Sequence, residues 1–294
     1  MWHLYAEPRL RQTSSIIYLA VDDLLSPRGN FLPGFDEFSA ALDHAGIPCV
    51  WLSSRTRLQL DDPRRRMNHT HPFIAEDGGG VFLPEDYFHL RPQASDAKRG
   101  KSATVRLGRF TCLPVAEQQP AAETALEELA AETNVSVVPI RSLPPKELAQ
   151  NLGLAQTEAE LARQRDFDEL FFFAGATAEQ MKQFEAAAYS KRIVLRPRGA
   201  LWSLAIGASL PRCIQALSKL YDRALHAHAR TIGITTAADT PSLGSACDRV
   251  VLLTRKNTAE MEAETAASPN RRVMELALNS PDVWQRLLEV VPAK

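Results

Sequence analysis

Asp22 and Asp23 stand directly after an unbroken apolar run, Ile16 to Val21, in the segment IIYLAVDDLLSP. Such a run reads as a parallel strand buried on both faces. An apolar strand that ends in aspartates is where phosphoryl-transfer folds place a nucleophile, normally with the two acids separated by one residue. Side chains two positions apart on an extended chain share a face, whereas adjacent ones point to opposite faces. Asp22 and Asp23 are adjacent, so without a bulge they cannot act as a pair on one substrate.

Other side chains invite weaker readings. His69 and His71, in NHTH, share one face of an extended segment and form a candidate metal pair that lacks a third ligand at a defined spacing. His226 and His228 fall on a predicted helix, where residues two apart face away from each other. Arg64 to Arg66 read as the solvated end of a helix, beside its C-terminal dipole. The run Asp77 to Gly80 (DGGG) reads as a tight backbone turn, either structural or under a ligand.

These residues need a scaffold, and the pattern supplies one. Phe35, Phe38, Ala41, Leu42 and Ala45 recur at helical spacing, and Gly46 is placed to end that helix. IPCVWL follows as a second strand, then a helix over RLQLDDPRRRMN, then a short strand in PFIAEDGGGVFLP. This strand-helix-strand order implies parallel strands with right-handed crossovers. The middle of the chain is polar and basic at first (HLRPQASDAKRGKSATVRLG). It then offers a helix rich in Ala and Glu, the strands SVVPI and ELFFFAG, a helix over TAEQMKQFEAAAYSK and a hairpin over RIVLRPRGALWSLAIG. The α/β rhythm returns near residue 208, with the strands RTIGIT and RVVLLT and a terminal helix over SPDVWQRLLEVV. The expected fold is α/β: a core with a parallel sheet over residues 1–85 and 206–294, and an inserted α+β cap over 86–205.

Composition narrows the function. Of 294 residues, 45% are hydrophobic and 23% charged, with a formal net charge of −1. That balance argues against nucleic acid or an anionic membrane as main partner, since both call for a basic face. No apolar run reaches the roughly 18 residues of a membrane span. The first residues lack the layout of a signal peptide. Cys49, Cys112, Cys213 and Cys247 are far apart with no CxxC spacing, and read as reduced thiols of a cytoplasmic protein.

Taken in order, several stretches resemble the haloacid-dehalogenase (HAD)-like phosphatases, and within them the mannosyl-3-phosphoglycerate phosphatase family. GIPCVWLSSRT matches the family's strand and T-S-R/K-T turn, and PFIAEDGGGVFLP its P-F-I-x-E-N-G-G segment. ARQRDFDELFFF matches the cap signature A-x-x-R-x-x-S-E-P, with Arg165 and Glu169 in place. RTIGITTAADTPSLGSACDRVVLLT matches the late I-G-x-G-D-x-x-N-D-x-P-M-L strand. The resemblance implies an aspartyl-phosphate mechanism. A strand-end Asp attacks phosphorus, and a second Asp two residues on is acid and then base. A Ser or Thr and a Lys hold the phosphoryl oxygens, and Mg²⁺ sits on carboxylates of the first and last motifs.

This chain departs from that pattern at three of four motifs. Aligned on strand length, the nucleophile position is Ala20, and Asp22 keeps the acid/base position. Sliding the register to make Asp22 the nucleophile puts Leu24 in the acid position, so one carboxylate is lost either way. Ser53 lies where a hydroxyl would bind a phosphoryl oxygen, followed by Ser54; it is equally a helix N-cap by type. The lysine slot falls on Leu210, with Arg212 the nearby cation and off register. The metal-binding Asp aligns with Thr235 or Thr236, and Asp239 is retained. In the cap, Gly199 and Trp202 keep part of a substrate segment. The leading expectation is a catalytically degenerate phosphatase that binds a phosphorylated, sugar-like ligand or a protein partner, with no cofactor. A second is an active sugar-phosphate phosphatase using Asp22 and Mg²⁺, with Ser53 and Arg212 on the phosphoryl group and Asp239 near the metal. A third is a structural or oligomeric scaffold.

Overall fold

A computed structural model describes residues 14–26, 29–89, 104–236, 239–255 and 273–291. The described residues begin with β1 (Ser15–Ala20), α1 (Phe35–Ala45), β2 (Cys49–Leu52), α2 (Arg57–Arg66), β3 (Phe73–Ala75) and β4 (Gly80–Leu83). A hairpin follows, β5 (Val105–Leu107) and β6 (Phe110–Pro114). Next come α3 (Gln119–Thr133), β7 (Val137–Pro139), α4 (Pro145–Leu152), α5 (Gln156–Ala162), β8 (Asp168–Phe173), α6 (Ala178–Ser190), β9 (Ile193–Arg198) and β10 (Leu201–Ile206). The last third is α7 (Leu210–Leu225), β11 (Arg230–Thr235), α8 (Thr240–Ala246), β12 (Arg249–Thr254), β13 (Val273–Ala277) and α9 (Val283–Val290).

Two sheets result. Among the described residues the larger has nine strands in the order β13-β12-β11-β1-β2-β3-β4-β6-β5, and the smaller has four in the order β7-β8-β10-β9. From β13 to β3 all neighbours are parallel; β4, β6 and β5 add antiparallel strands at one edge. β1 lies at the centre and is buried on both sides, which its continuous apolar run requires. Alternate residues divide between two layers. Ile17, Leu19 and Val21 join the core under α1 and α9, while Ile16 and Tyr18 join the core under α7 and α8. The chain leaves β1 for β2 on one side and returns through β11 on the other, so β1 marks a topological switch point. In open α/β sheets, ligands sit beyond the carboxyl ends of the strands at such a point.

The structure corrects several expectations. β5 and β6 lie within 86–205, yet β6 pairs with β4 and β5 with β6, extending the large sheet. β13 was not anticipated, because VMELA offers only a short run with a charge inside it. Arg64 is buried rather than solvated. Its guanidinium lies 4.2 Å from the Phe73 ring centroid and donates to His69 Nδ1 at 3.1 Å and to the His71 carbonyl at 2.8 Å. His69 Nε2 bonds the Cys49 carbonyl, and His71 bridges Tyr87 and Asp43, so each ring is engaged in packing. His226 is not in α7: it is the left-handed residue that ends the helix, and His228 lies beyond it, bonded to Asp222. All four cysteines are buried and unpaired. Among the described residues, no helix is long and apolar enough to cross a membrane.

Candidate active site

β1 ends at Ala20, which is 9% exposed, and Val21 leads into a single 3-10 turn, Asp22–Leu24. The strand end expected to carry a nucleophile therefore carries a methyl group. Asp22 sits one step further and turns toward the end of β2. Its carboxylate accepts hydrogen bonds from Ser53 Oγ, from the Ser54 backbone N–H at 2.7 Å and from Ser54 Oγ at 2.6 Å. The Arg55 Nε lies 3.9 Å away. Asp23, in the same turn, instead accepts the hydroxyl of Thr236, just past the end of β11. Ser53 is not the N-cap of α2. Thr56 is, in a reciprocal capping box with Gln59, while Ser53 Oγ accepts the Arg55 N–H at 3.0 Å.

The acidic turn between β3 and β4 is built against this site. Glu76 and Asp77 have φ of 51° and 53°, and Gly78 has φ of 90°. The turn is tied to the serine turn through Glu76 N–H to Arg55 O at 3.2 Å and Asp77 N–H to Ser53 O at 3.1 Å. Gly78 has no room for a side chain, since a Cβ would come within 2.3 Å of the Leu210 backbone nitrogen. Asp77 is nearly buried and forms an ion pair with Arg198 of β9, which links the two sheets. Burial pushes the Asp77 carboxyl up, against the pull of Arg198 and Arg196.

Glu76 anchors the start of the small sheet. It is fully buried, and its carboxylate faces the backbone N–H groups of Asp166, Phe167 and Asp168 at 2.8–3.2 Å. Burial raises its pKa to about 8, more than the Arg165 guanidinium lowers it. Arg165 pairs with Asp168 and donates to the Ser54 carbonyl at 2.8 Å. It therefore braces the serine turn from the insert side. Arg57 pairs with Asp166 at 2.8 Å in the same seam.

The remaining expected residues are more dispersed. Leu210 is buried at the first position of α7, where Ser209 caps the helix by accepting the Arg212 N–H at 3.4 Å. The Arg212 side chain is exposed and forms no ion pair with another described residue. Asp239 precedes α8, and burial raises its carboxyl while Arg198 lowers it. Glu169 and Trp202 lie on the other face of the small sheet. Glu169 is held by Gln119 at 2.5 Å and Arg141 at 3.0 Å, and Trp202 packs edge-on against Phe173 at 5.5 Å. Gly199 sits in the exposed turn between β9 and β10, with φ of 65°.

Sequence reasoning missed Arg196 and Arg198. The period of two in RIVLRPR puts them on one face, and that face meets Asp77. A Mg²⁺ ion would need several oxygen ligands of carboxylate character. Of the positions the resemblance would draw on, Asp22 and Asp239 keep a carboxylate. Ala20 has no donor, Asp22 is already engaged by three donors, and the Thr235 hydroxyl donates to the Thr236 carbonyl at 2.8 Å. Among the described residues no three His, Cys, Asp or Glu side chains converge as a metal site would require.

No family model matches the chain. The chain is 24% identical over 214 residues to a glucosyl-3-phosphoglycerate/mannosyl-3-phosphoglycerate phosphatase of Methanococcoides burtonii, covering 70% of this chain and 72% of that one. It is 27% identical over 157 residues to a mannosyl-3-phosphoglycerate phosphatase of Pyrococcus furiosus, covering 53% of this chain and 60% of that one. Among solved structures, it superposes on a haloacid dehalogenase-like hydrolase from Bacteroides thetaiotaomicron with TM-score 0.58 and 12% identity, over 95% of this chain and all of that one. A HAD subclass IIB sugar phosphatase gives TM-score 0.58 at 12% identity, over 94% of this chain and 98% of that one. The chain thus has the fold of the HAD superfamily and is similar in sequence to mannosyl-3-phosphoglycerate phosphatases.

Proposed function

We propose that this protein is a phosphatase-like binder. It takes a phosphorylated, sugar-like ligand between its large sheet and its inserted cap, and does not hydrolyse it. The observation that carries this reading is the strand end. Ala20 stands where the resemblance calls for a nucleophile, and a methyl group cannot attack phosphorus. Asp22, the acid left beside it, has both carboxylate oxygens engaged by Ser53 and Ser54. Leu210 in the lysine slot and Thr235 or Thr236 in the metal slot point the same way. Loss of a nucleophile alone costs several orders of magnitude in rate.

The sequence similarity to the phosphatases of M. burtonii and P. furiosus supports mannosyl-3-phosphoglycerate as the first ligand to try. Arg196, on the face of β9 that meets Asp77, makes no ion pair with another described residue, which suits an anion. The reading is tested by calorimetry of mannosyl-3-phosphoglycerate with the purified protein, followed by recovery of the ligand. Saturable binding with the ligand recovered intact is expected. Absence of binding, or recovery of free phosphate, would overturn it.

A further inference from the structure

Three donors in this site already have an acceptor. Ser53 Oγ, Ser54 Oγ and the Ser54 N–H all converge on Asp22. An external phosphate or carboxylate would seek those same donors. Asp22 is tethered beside them and competes at a high effective concentration, with hydrogen bonds strengthened by its charge. An incoming anion would also have to approach the Asp22 charge itself. The serine turn is therefore occupied from within.

The facing strand offers a free receptor. Arg196 and Arg198 lie on the same side of β9, opposite Ser203 and Leu201 of β10. Arg198 is committed to Asp77. Arg196 is half-buried and makes no hydrogen bond or ion pair with another described residue. It shares its face of β9 with Arg198, whose guanidinium reaches Asp77 in the turn between β3 and β4. A guanidinium has a rigid fork of donors that matches the oxygens of a phosphate or carboxylate. Removing one partly from water without a direct hydrogen-bonding partner is unfavourable, and an anionic ligand would relieve that cost.

We propose that Arg196 is the anion receptor of this cleft, taking the phosphate or carboxylate of a ligand, while Asp22 keeps the Ser53–Ser54 turn closed to it. This rests on the reading of the cleft as a binding site without turnover. Inorganic phosphate and glycerate are the two probes, measured by calorimetry on wild type, Arg196→Ala, Arg196→Lys and Asp22→Ala. At least one probe should bind wild type, and the probe that binds tells which oxyanion is preferred. Arg196→Ala should weaken that binding at least tenfold. Arg196→Lys should recover part of it, since the charge returns without the fork. Asp22→Ala should add a second equivalent of bound phosphate, because it vacates the serine turn.

No binding of either probe to wild type, unchanged affinity in Arg196→Ala, or no second equivalent in Asp22→Ala would each overturn the proposal. Melting temperatures of the four proteins check that each is folded. The two readings fail separately. Mannosyl-3-phosphoglycerate bound equally by wild type and Arg196→Ala leaves the binder intact and removes Arg196. Release of phosphate from it removes the binder, while the inorganic phosphate titrations still decide the role of Arg196.

Discussion

The Asp22 carboxylate accepts the Ser54 backbone N–H at 2.7 Å, joining residues 32 positions apart at the ends of β1 and β2. The same carboxylate takes both serine hydroxyls. The contact is thus a local anchor for two strand ends. Replacing Ser53 and Ser54 together by Ala removes two of the three donors from a carboxylate that is partly open to water. The expected loss of stability is about 1–2 kcal/mol, discounted for that exposure, and chemical denaturation measures it. Loss of under about 0.3 kcal/mol would mean that water serves Asp22 equally well.

Gly78 gives the sharpest packing prediction. Its φ of 90° disfavours any L side chain, and a Cβ would meet the Leu210 nitrogen at 2.3 Å, where neither backbone can yield cheaply. Gly78→Ala should cost more than about 3 kcal/mol. Gly199→Ala, also at positive φ but with nothing within 4 Å, should cost only about 1 kcal/mol. Thermal melts of the two variants separate the steric clash from the conformational term. Equal costs would contradict the close packing of Gly78 against α7.

Buried carboxyls set the pH dependence of stability. Glu76 and Glu169 have ordinary values of 4.5, raised by burial to about 8 and about 7 in the fold. Between 4.5 and those values the folded state holds more protons than the unfolded state, so stability falls as pH rises. His69 works in the other direction only below its ordinary 6.5, because burial keeps it neutral. From pH 6.5 to 8 the carboxyls act unopposed by His69, and the melting temperature should fall. Glu76→Gln should flatten that slope. A melting temperature that rises over this interval would contradict the assignment.

Asp77 and Arg198 join the two sheets, and their coupling is measurable in a double-mutant cycle of Asp77→Asn and Arg198→Gln. A coupling energy of about 1–3 kcal/mol is expected for a pair this sheltered. A value near zero would mean that the insert is held by the other contacts of the seam, those of Glu76, Arg165 and Arg57 among them.

Much of this fold was legible in the chain. The unbroken run Ile16–Val21 marks a strand buried on both faces, and the spacing from Phe35 to Ala45 with Gly46 after it marks a helix and its end. Those signals are local. β5 and β6 escaped because sheet membership is set by which strand they pair with, and the polar, basic segment before them reads as an insert. At the site, Ala20 and Asp22 could be placed by strand length alone. Arg196 and Arg198 could not, because their role comes from the approach of a second sheet, 119 to 121 residues beyond Asp77. Glu169 and Trp202 lie on the opposite face of that second sheet. A motif match names the residue, whereas the parity of its strand decides which face it serves.

The most direct measurement is phosphate release from mannosyl-3-phosphoglycerate and from an aryl phosphate, with Mg²⁺ present, by wild type beside Asp22→Asn. No release by wild type above that variant is expected. Turnover by wild type that vanishes in Asp22→Asn would contradict it, and would make Asp22 a catalytic residue despite the alanine at the end of β1.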